Sequence, residues 1–409
     1  MPRLNLFSAF GVELEYMLVD AQTLDVRPIT DMLLKAVAGS IVSDIEFDDI
    51  AWSNELVLHV IELKTNGPAP KLAPLASRFQ EHVGRVNAVL EQLGARLMPT
   101  AMHPWMDPFR EMQLWPHDNS PIYDAFNRIF DCRGHGWANL QSMHVNLPFA
   151  DDAQFGRLHA AIRLLLPIMP GLSASSPVMD GRVTGLLDNR LEVYRTNSQK
   201  IPSIAGRVIP ERAFTEADYQ RLIFDVLFAD IAPHDPEGVL RDEFLNARGA
   251  VARFGRSAIE IRVLDVQECP AADLGICQAI VAVLNAMTDE RWASTTQQQA
   301  FEVEPLDRLL LATIRDADQT VIDDADYLAL LGWTKSPRCS VSELWQHLVG
   351  QTAPCRDDPE SRAALDMILT QGPLARRIVR RLSPTPSPEL LRSTYRELCE
   401  CLAAGRMFV

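Results

Sequence analysis

Between Phe10 and Asp20 the chain reads FGVELEYMLVD, with Val12, Leu14 and Tyr16 interleaved with Glu13 and Glu15. Alternation with a period of two predicts a β-strand over residues 11–19, both carboxylates on one face and the apolar side chains on the other. Further strands are expected at 56–64 (LVLHVIELK), 141–149 (QSMHVNLPF) and 257–265 (SAIEIRVLD). Helical spacing of Leu72, Leu75, Phe79, Val83, Val86 and Leu90 predicts a helix over 71–94, with Gly94 as its stop. A second helix is expected from about 152 to 166, ended by Pro167 and Pro170, and a buried one over 273–288. Residues 99–139 carry no clear period and read as a long, loop-rich segment. From about 290 the pattern is helical, broken by SPTPSP at 383–388.

The opening pattern recurs. His144 and Asn146 share one face of their strand, opposite Met143, Val145 and Leu147; Glu260 and Arg262 share a face opposite Ile259, Ile261 and Val263. A half-solvated antiparallel sheet would by itself alternate in this way. The residue types go further, because acids are depleted in ordinary strands. Glu13, Glu15 and Glu260, joined by Glu55 and Glu62, would gather on one surface. Two carboxylates about 4 Å apart repel by roughly 4 kcal/mol at an effective dielectric of 20. Such a surface calls for cations. Hard divalent ions take oxygen ligands, Mg²⁺ favours a few carboxylates plus substrate phosphates, and one imidazole among acids also suits Mn²⁺.

Composition narrows the classes. The 409 residues carry a formal net charge of −15, which argues against nucleic acid or an anionic membrane as the main partner. Seven scattered cysteines without a C-x-x-C pair fit free thiols better than a disulfide framework. The apolar stretches near 161–172 and 274–287 read as too short to span a bilayer, so a soluble, cytoplasmic protein is expected. Neither a P-loop nor a dinucleotide fingerprint is present.

GVELEYMLVD, ELVLHVIELKTN, HVNLPF, SASSPVMDGRVTG and EIRVLD occur in this order. The chain resembles the glutamate–cysteine ligase type 2 family over roughly residues 10–290; that family includes γ-glutamylcysteine synthetases and related carboxylate–amine ligases. The resemblance implies an α+β fold: a curved antiparallel sheet of the glutamine synthetase and guanidino-kinase type, helices on its convex face, ATP and Mg²⁺ (or Mn²⁺) in its concave face. Residues 1–290 would form the catalytic domain and 291–409 a helical region packed on it. Carried over motif by motif, Glu13, Glu15, Glu55, Glu62, His144 and Glu260 would hold metal. Arg262 would meet the transferred phosphate, Arg190 the substrate carboxylate, and Asn146 and Arg253 the nucleotide. Arg248 matches another basic position of the family, or a solvated loop.

The implied reaction is ATP-dependent amide formation through a γ-glutamyl phosphate, from small substrates such as glutamate and cysteine, in a possible homodimer. A guanidino-kinase-like phosphotransferase and a non-catalytic nucleotide or metabolite sensor are the alternatives. Glu55 and Glu62 are seven residues apart, so a bulge or turn must intervene for both to face one way. His103 reads equally as functional or backbone-satisfied, and His59 as structural. His117, His135, Trp105, Trp115 and Trp137 read either as a lid over the sheet or as packing in the long loop.

Overall fold

The computed structural model describes residues 3–409. Its centre is an eight-stranded antiparallel sheet. In chain order the strands are β1 (Gly11–Asp20), β2 (Asp44–Glu46), β3 (Ile50–Asn54), β4 (Val60–Thr65), β5 (Ala95–Met98), β6 (Ser142–Pro148), β7 (Ala250–Arg253) and β8 (Ala258–Asp265). They lie in the order β2-β3-β4-β1-β6-β8-β7, with β5 paired to the end of β1. Glu13 pairs with Lys64 and His144, Glu15 with Glu62, and Glu260 with Asn146. The register therefore lines up the polar positions of four strands on one side of the sheet.

The other side is apolar. Val12, Leu14, Tyr16, Met143, Val145, Leu147, Ile259 and Ile261 are buried in one core with helices α2 (Leu75–Gln92), α4 (Asp152–Leu165) and α6 (Pro270–Thr288). At 19 residues α6 is longer than the sequence suggests, and long and apolar enough to cross a bilayer by composition. Here 78% of its apolar window is buried inside the protein. Helices α2 and α4 pack on it, as do α7 (Val341–Thr352) and α8 (Pro359–Gln371), so the C-terminal region shares this core. Gly275 of α6 allows α8 to approach closely, because a Cβ there would sit 2.6 Å from the Ser361 carbonyl oxygen, and Gly171, in the short helix Pro170–Ser173, likewise makes room for Val341 of α7.

Two expectations need correction. The strand expected at 56–64 starts only at Val60: residues 55–59 form the turn that joins β3, which ends at Asn54, to β4. The loop-rich stretch contains helix α3 (Ser120–Phe130), whose buried Ala125 and Ile129 face the core while Phe126 packs at its edge. Proline and polar residues on both sides obscured this short period.

Several aromatic side chains and histidines settle into structural roles. Trp115 is fully buried, Trp105 donates to Asp25, His117 pairs with Asp31 and His135 with Asp180. Of that group only Trp137 lines the cavity described below. His59 donates its Nε2–H to the Ala138 carbonyl, and His103 to that of Leu24. Burial pulls both imidazoles down to about 4. Each lies below the unfolded value of 6.5, so the stability it contributes is complete above that pH and is lost as pH falls toward 4. The loss is expected to be on the order of 3 kcal/mol per ring. Histidine NMR signals for these rings that titrate near pH 6.5 in the native protein would overturn this prediction.

Candidate active site

The polar side of the sheet walls a cavity of about 940 Å³. Glu13, Glu15, Glu55, Glu62, His144, Asn146, Arg190, Arg253, Glu260 and Arg262 all line it, so every residue that the resemblance gave a metal, nucleotide or substrate role converges there, whereas Arg248 does not. Gly11 keeps the wall open beside Asn146, since a Cβ at that position would sit 2.9 Å from the Asn146 Cβ.

His144 is the hub. Its Nδ1 lies 3.0 Å from Glu13 Oε2 and 4.0 Å from Glu260 Oε1, and its Nε2 lies 3.9 Å from Glu15 Oε1. Two groups offer ligand atoms that lie within 4.8 Å of one another: Glu13, His144 and Glu260; and Glu15, Glu62 and His144. Burial lowers the His144 pKa despite the neighbouring Glu15 charge, which favours a neutral ring. A neutral imidazole has one N–H and one lone pair. With the proton on Nδ1 donated to Glu13, the Nε2 lone pair faces Glu15.

The acids divide by environment. Burial and the Glu260 charge push Glu13 above the ordinary carboxylate range; burial and Glu13 do the same to Glu62. Glu55 is pushed furthest, by burial and then by Glu62 and Glu15. Glu260 differs. Burial would raise it, but Arg262, Arg253 and His144 more than reverse that and hold it down at about 2. Arg253 Nε donates to Glu260 Oε2 at 2.9 Å, and Arg262 Nε lies 2.7 Å from Oε1. Glu260 is thus already compensated, whereas Glu13, Glu55 and Glu62 carry unmet demand for positive charge.

Some of that demand is met by Lys64, which the sequence reading missed. Its Nζ donates to Glu62 Oε2 and to Ser53 Oγ, each at 2.7 Å. Burial disfavours its charge, yet Glu62, Glu13 and Glu55 outweigh this and raise its pKa. The available signal was its place two residues after Glu62 on the same strand face. Ser142 was also missed; its backbone N–H and its hydroxyl both donate to Glu15 Oε2, at 2.7 and 2.8 Å. Even with Lys64 counted, seven acids (Glu13, Glu15, Asp44, Glu46, Glu55, Glu62 and Glu260) line the cavity against five cations (Lys64, Arg190, Arg253, Arg256 and Arg262).

Glu55 faces the cavity because the turn after β3 intervenes, which resolves the odd spacing. It stands outside both clusters of converging ligand atoms. Glu55→Gln is therefore expected to weaken divalent-metal binding much less than Glu62→Gln, as read by calorimetric titration with Mn²⁺; equal losses would contradict this. Arg248 requires correction. It is neither solvated nor in the cavity, but buried and paired through Nε and Nη2 with Glu211.

Arg190 sits in helix α5 (Asn189–Tyr194) with 1% of its surface exposed. Its Nη2 donates to the Arg262 carbonyl at 2.8 Å, while Nε and Nη1 have no hydrogen-bond partner. Nη1 lies 3.5 Å from Asp265 Oδ1, so the buried guanidinium on the cavity wall is only partly compensated, and an anion bound beside it would complete it.

Sheet and acidic wall together place the chain in the fold class of the glutamate–cysteine ligases. A crystal structure of glutamate–cysteine ligase from Francisella tularensis in complex with AMP superposes with a TM-score of 0.59, at 13% identity, over 98% of this chain and 90% of that one. A bifunctional glutathione synthetase from Pasteurella multocida gives a TM-score of 0.52 at 14% identity, over 96% of this chain and 52% of that one. The family model for glutamate–cysteine ligase family 2 matches residues 9–396, and the chain belongs to that family. An uncharacterized protein of Archaeoglobus fulgidus is 34% identical over 280 residues, 68% of this chain and 75% of its own. The Corynebacterium glutamicum (strain R) protein named "Putative glutamate--cysteine ligase 2" is 27% identical over 285 residues, 68% of this chain and 65% of its own. The match to a protein of the same name from Clavibacter sepedonicus covers 51% of that protein, so the chain spans less than two thirds of both these named relatives.

Proposed function

We propose that the protein is an ATP-dependent carboxylate–amine ligase that activates the γ-carboxylate of glutamate, or of a close analogue, as an acyl phosphate for attack by an amine. The observation that carries this reading is the convergence of carboxylates from three strands on His144, beside Arg262 and the buried guanidinium of Arg190. A carboxylate is a poor acyl donor because its leaving group would be oxide; phosphorylation supplies a better one. Glu15, Glu62 and the Nε2 lone pair of His144 would hold one Mg²⁺ or Mn²⁺; the other tautomer would instead present Nδ1 to an ion held by Glu13 and Glu260. Bound there, the metal would neutralise charge on the β- and γ-phosphates.

The chain's own groups do the rest. Arg262, with Arg253 beside it, presents fixed positive charge to the phosphoryl group in transfer, and Arg190 holds the acid substrate in line. Asn146 and the Arg253 edge of the cavity would take the nucleotide. The polar face would be the concave one, and residues 291–409 would brace the catalytic part from behind.

The test is a trapping assay with L-glutamate, ATP, Mg²⁺ and hydroxylamine. A γ-glutamyl hydroxamate is expected. A stable phosphorylated product, or nucleotide binding without turnover, would sink the ligase reading in favour of a phosphotransferase or a sensor.

A further inference from the structure

Behind Arg190 lie two carboxyls that the proposed reaction does not use. Asp265 ends β8 and Asp188 precedes α5; both are fully buried. Asp265 Oδ1 is 3.5 Å from Arg190 Nη1, while its Oδ2 accepts from the Ser175 N–H and the Ser176 hydroxyl, each at 2.8 Å. Asp188 Oδ1 accepts from the Leu191 N–H at 2.8 Å, capping the short helix that carries Arg190. Ser176 ties the two sides together, because its hydroxyl also accepts from the Arg190 backbone N–H at 3.1 Å.

Two buried carboxylates in contact cannot both ionise beside a single guanidinium without leaving net negative charge in the interior. Burial and the Asp265 charge push Asp188 well above the usual range; burial raises Asp265 less, because Arg190, the Ser175 N–H and the Ser176 hydroxyl oppose it, and Asp188 Oδ2 and Asp265 Oδ1 have no other hydrogen-bond partner. Asp188 is thus the protonated partner and donates its O–H to Asp265. The trio of Arg190, ionised Asp265 and neutral Asp188 is electrically balanced, and Nε and Nη1 of Arg190 remain without hydrogen-bond partners.

The fold adds a further link. The β6–β8 register shifts between Ile261 and Leu264, and in this irregular stretch the Arg262 N–H donates to Gly249 while its carbonyl accepts from Arg190. One guanidinium is therefore anchored to the backbone of the other.

We propose that Asp265 and Asp188 form a one-proton carboxyl pair that acts as a positioning device for Arg190, fixing its guanidinium on the cavity wall where the carboxylate of the acid substrate would bind and tying that site to the Arg262 backbone. This rests on the ligase reading for the identity of the acid, but the geometry of the pair can be tested without it.

The experiment compares Asp265→Asn with Asp188→Asn in the full-length protein. Asp188→Asn mimics the protonated state, can still cap α5 and can still donate to Asp265, so it is expected to behave like the parent. Asp265→Asn is expected to raise KM for L-glutamate by roughly tenfold or more while leaving KM for ATP nearly unchanged. In its crystal structure the Arg190 guanidinium should have left the Arg262 carbonyl. An unchanged KM for L-glutamate in Asp265→Asn, an unmoved Arg190, or equal impairment in both variants each overturns the proposal. Should Asp265→Asn not fold, Ser176→Ala removes one hydrogen bond from Asp265 and one from the Arg190 backbone; a smaller rise in the same KM is expected, and no rise overturns the proposal. If the parent protein makes no product from L-glutamate, the ligase reading fails, and the position of Arg190 in the two crystal structures alone decides the positioning role.

Discussion

Glu13→Gln is expected to cut Mg²⁺-dependent ADP formation by at least ~10²-fold without unfolding the protein, a loss of the size seen when one group that stabilises transferred charge is removed. Glu13 touches His144 through Oε2 and accepts from Asn146 Nδ2 through Oε1 at 3.0 Å, so the amide would disturb both the hub and the nucleotide side of the wall. The same change should not harm the metal-free fold. Burial and Glu260 raise the Glu13 pKa, so the stability this group contributes is present below the ordinary carboxylate value and is lost as pH rises through the folded value. At pH 7.5 in a chelator, the variant's thermal midpoint should equal or exceed the parent's. Adding Mg²⁺ should stabilise the parent more than the variant, because only the parent retains the full ligand set. Near-normal turnover, or a midpoint several degrees lower in the chelator, would remove Glu13 from the site.

Trp345→Ala should have the largest effect on stability, about 3–5 kcal/mol. Trp345 on α7 is fully buried, and its Nε1–H donates to the Ile168 carbonyl at 2.8 Å. Removing the indole opens a cavity at the seam between the C-terminal helices and the α4–α6 core and strands that carbonyl. Because the two regions share one apolar cluster, the whole chain should unfold in one transition at lower urea. A separate early transition, with the remainder keeping the parent midpoint, would instead mark residues 291–409 as an independent unit.

Much of the site was legible in the sequence for one physical reason. A strand's period of two turns the identity of alternate residues into a face, so Glu13 with Glu15, His144 with Asn146, and Glu260 with Arg262 could each be assigned to one side before any pairing was known. The resemblance supplied Arg190 and a metal-binding role for Glu55 and Glu62, whose odd spacing no single strand pattern could reconcile with one face. Helices with a long apolar period, such as α2 and α4, were also legible, to within a few residues at their ends. Shorter elements were not: β2, β3, β5 and α3 are three to eleven residues long, too short for a period to stand out against polar and proline-containing flanks.

By itself the sequence determined that acids and a lone imidazole would share polar strand faces with an arginine, because side-chain direction along a strand is a local property. Only the tertiary structure decided how charge is distributed among them. Tertiary packing put Arg253 on Glu260, buried Arg248 against Glu211, and set Asp265 and Asp188 behind Arg190. Those partners come from segments 2 to 77 residues apart along the chain. Coulomb energies depend on separation in space and on burial, and neither quantity exists until the sheet has formed.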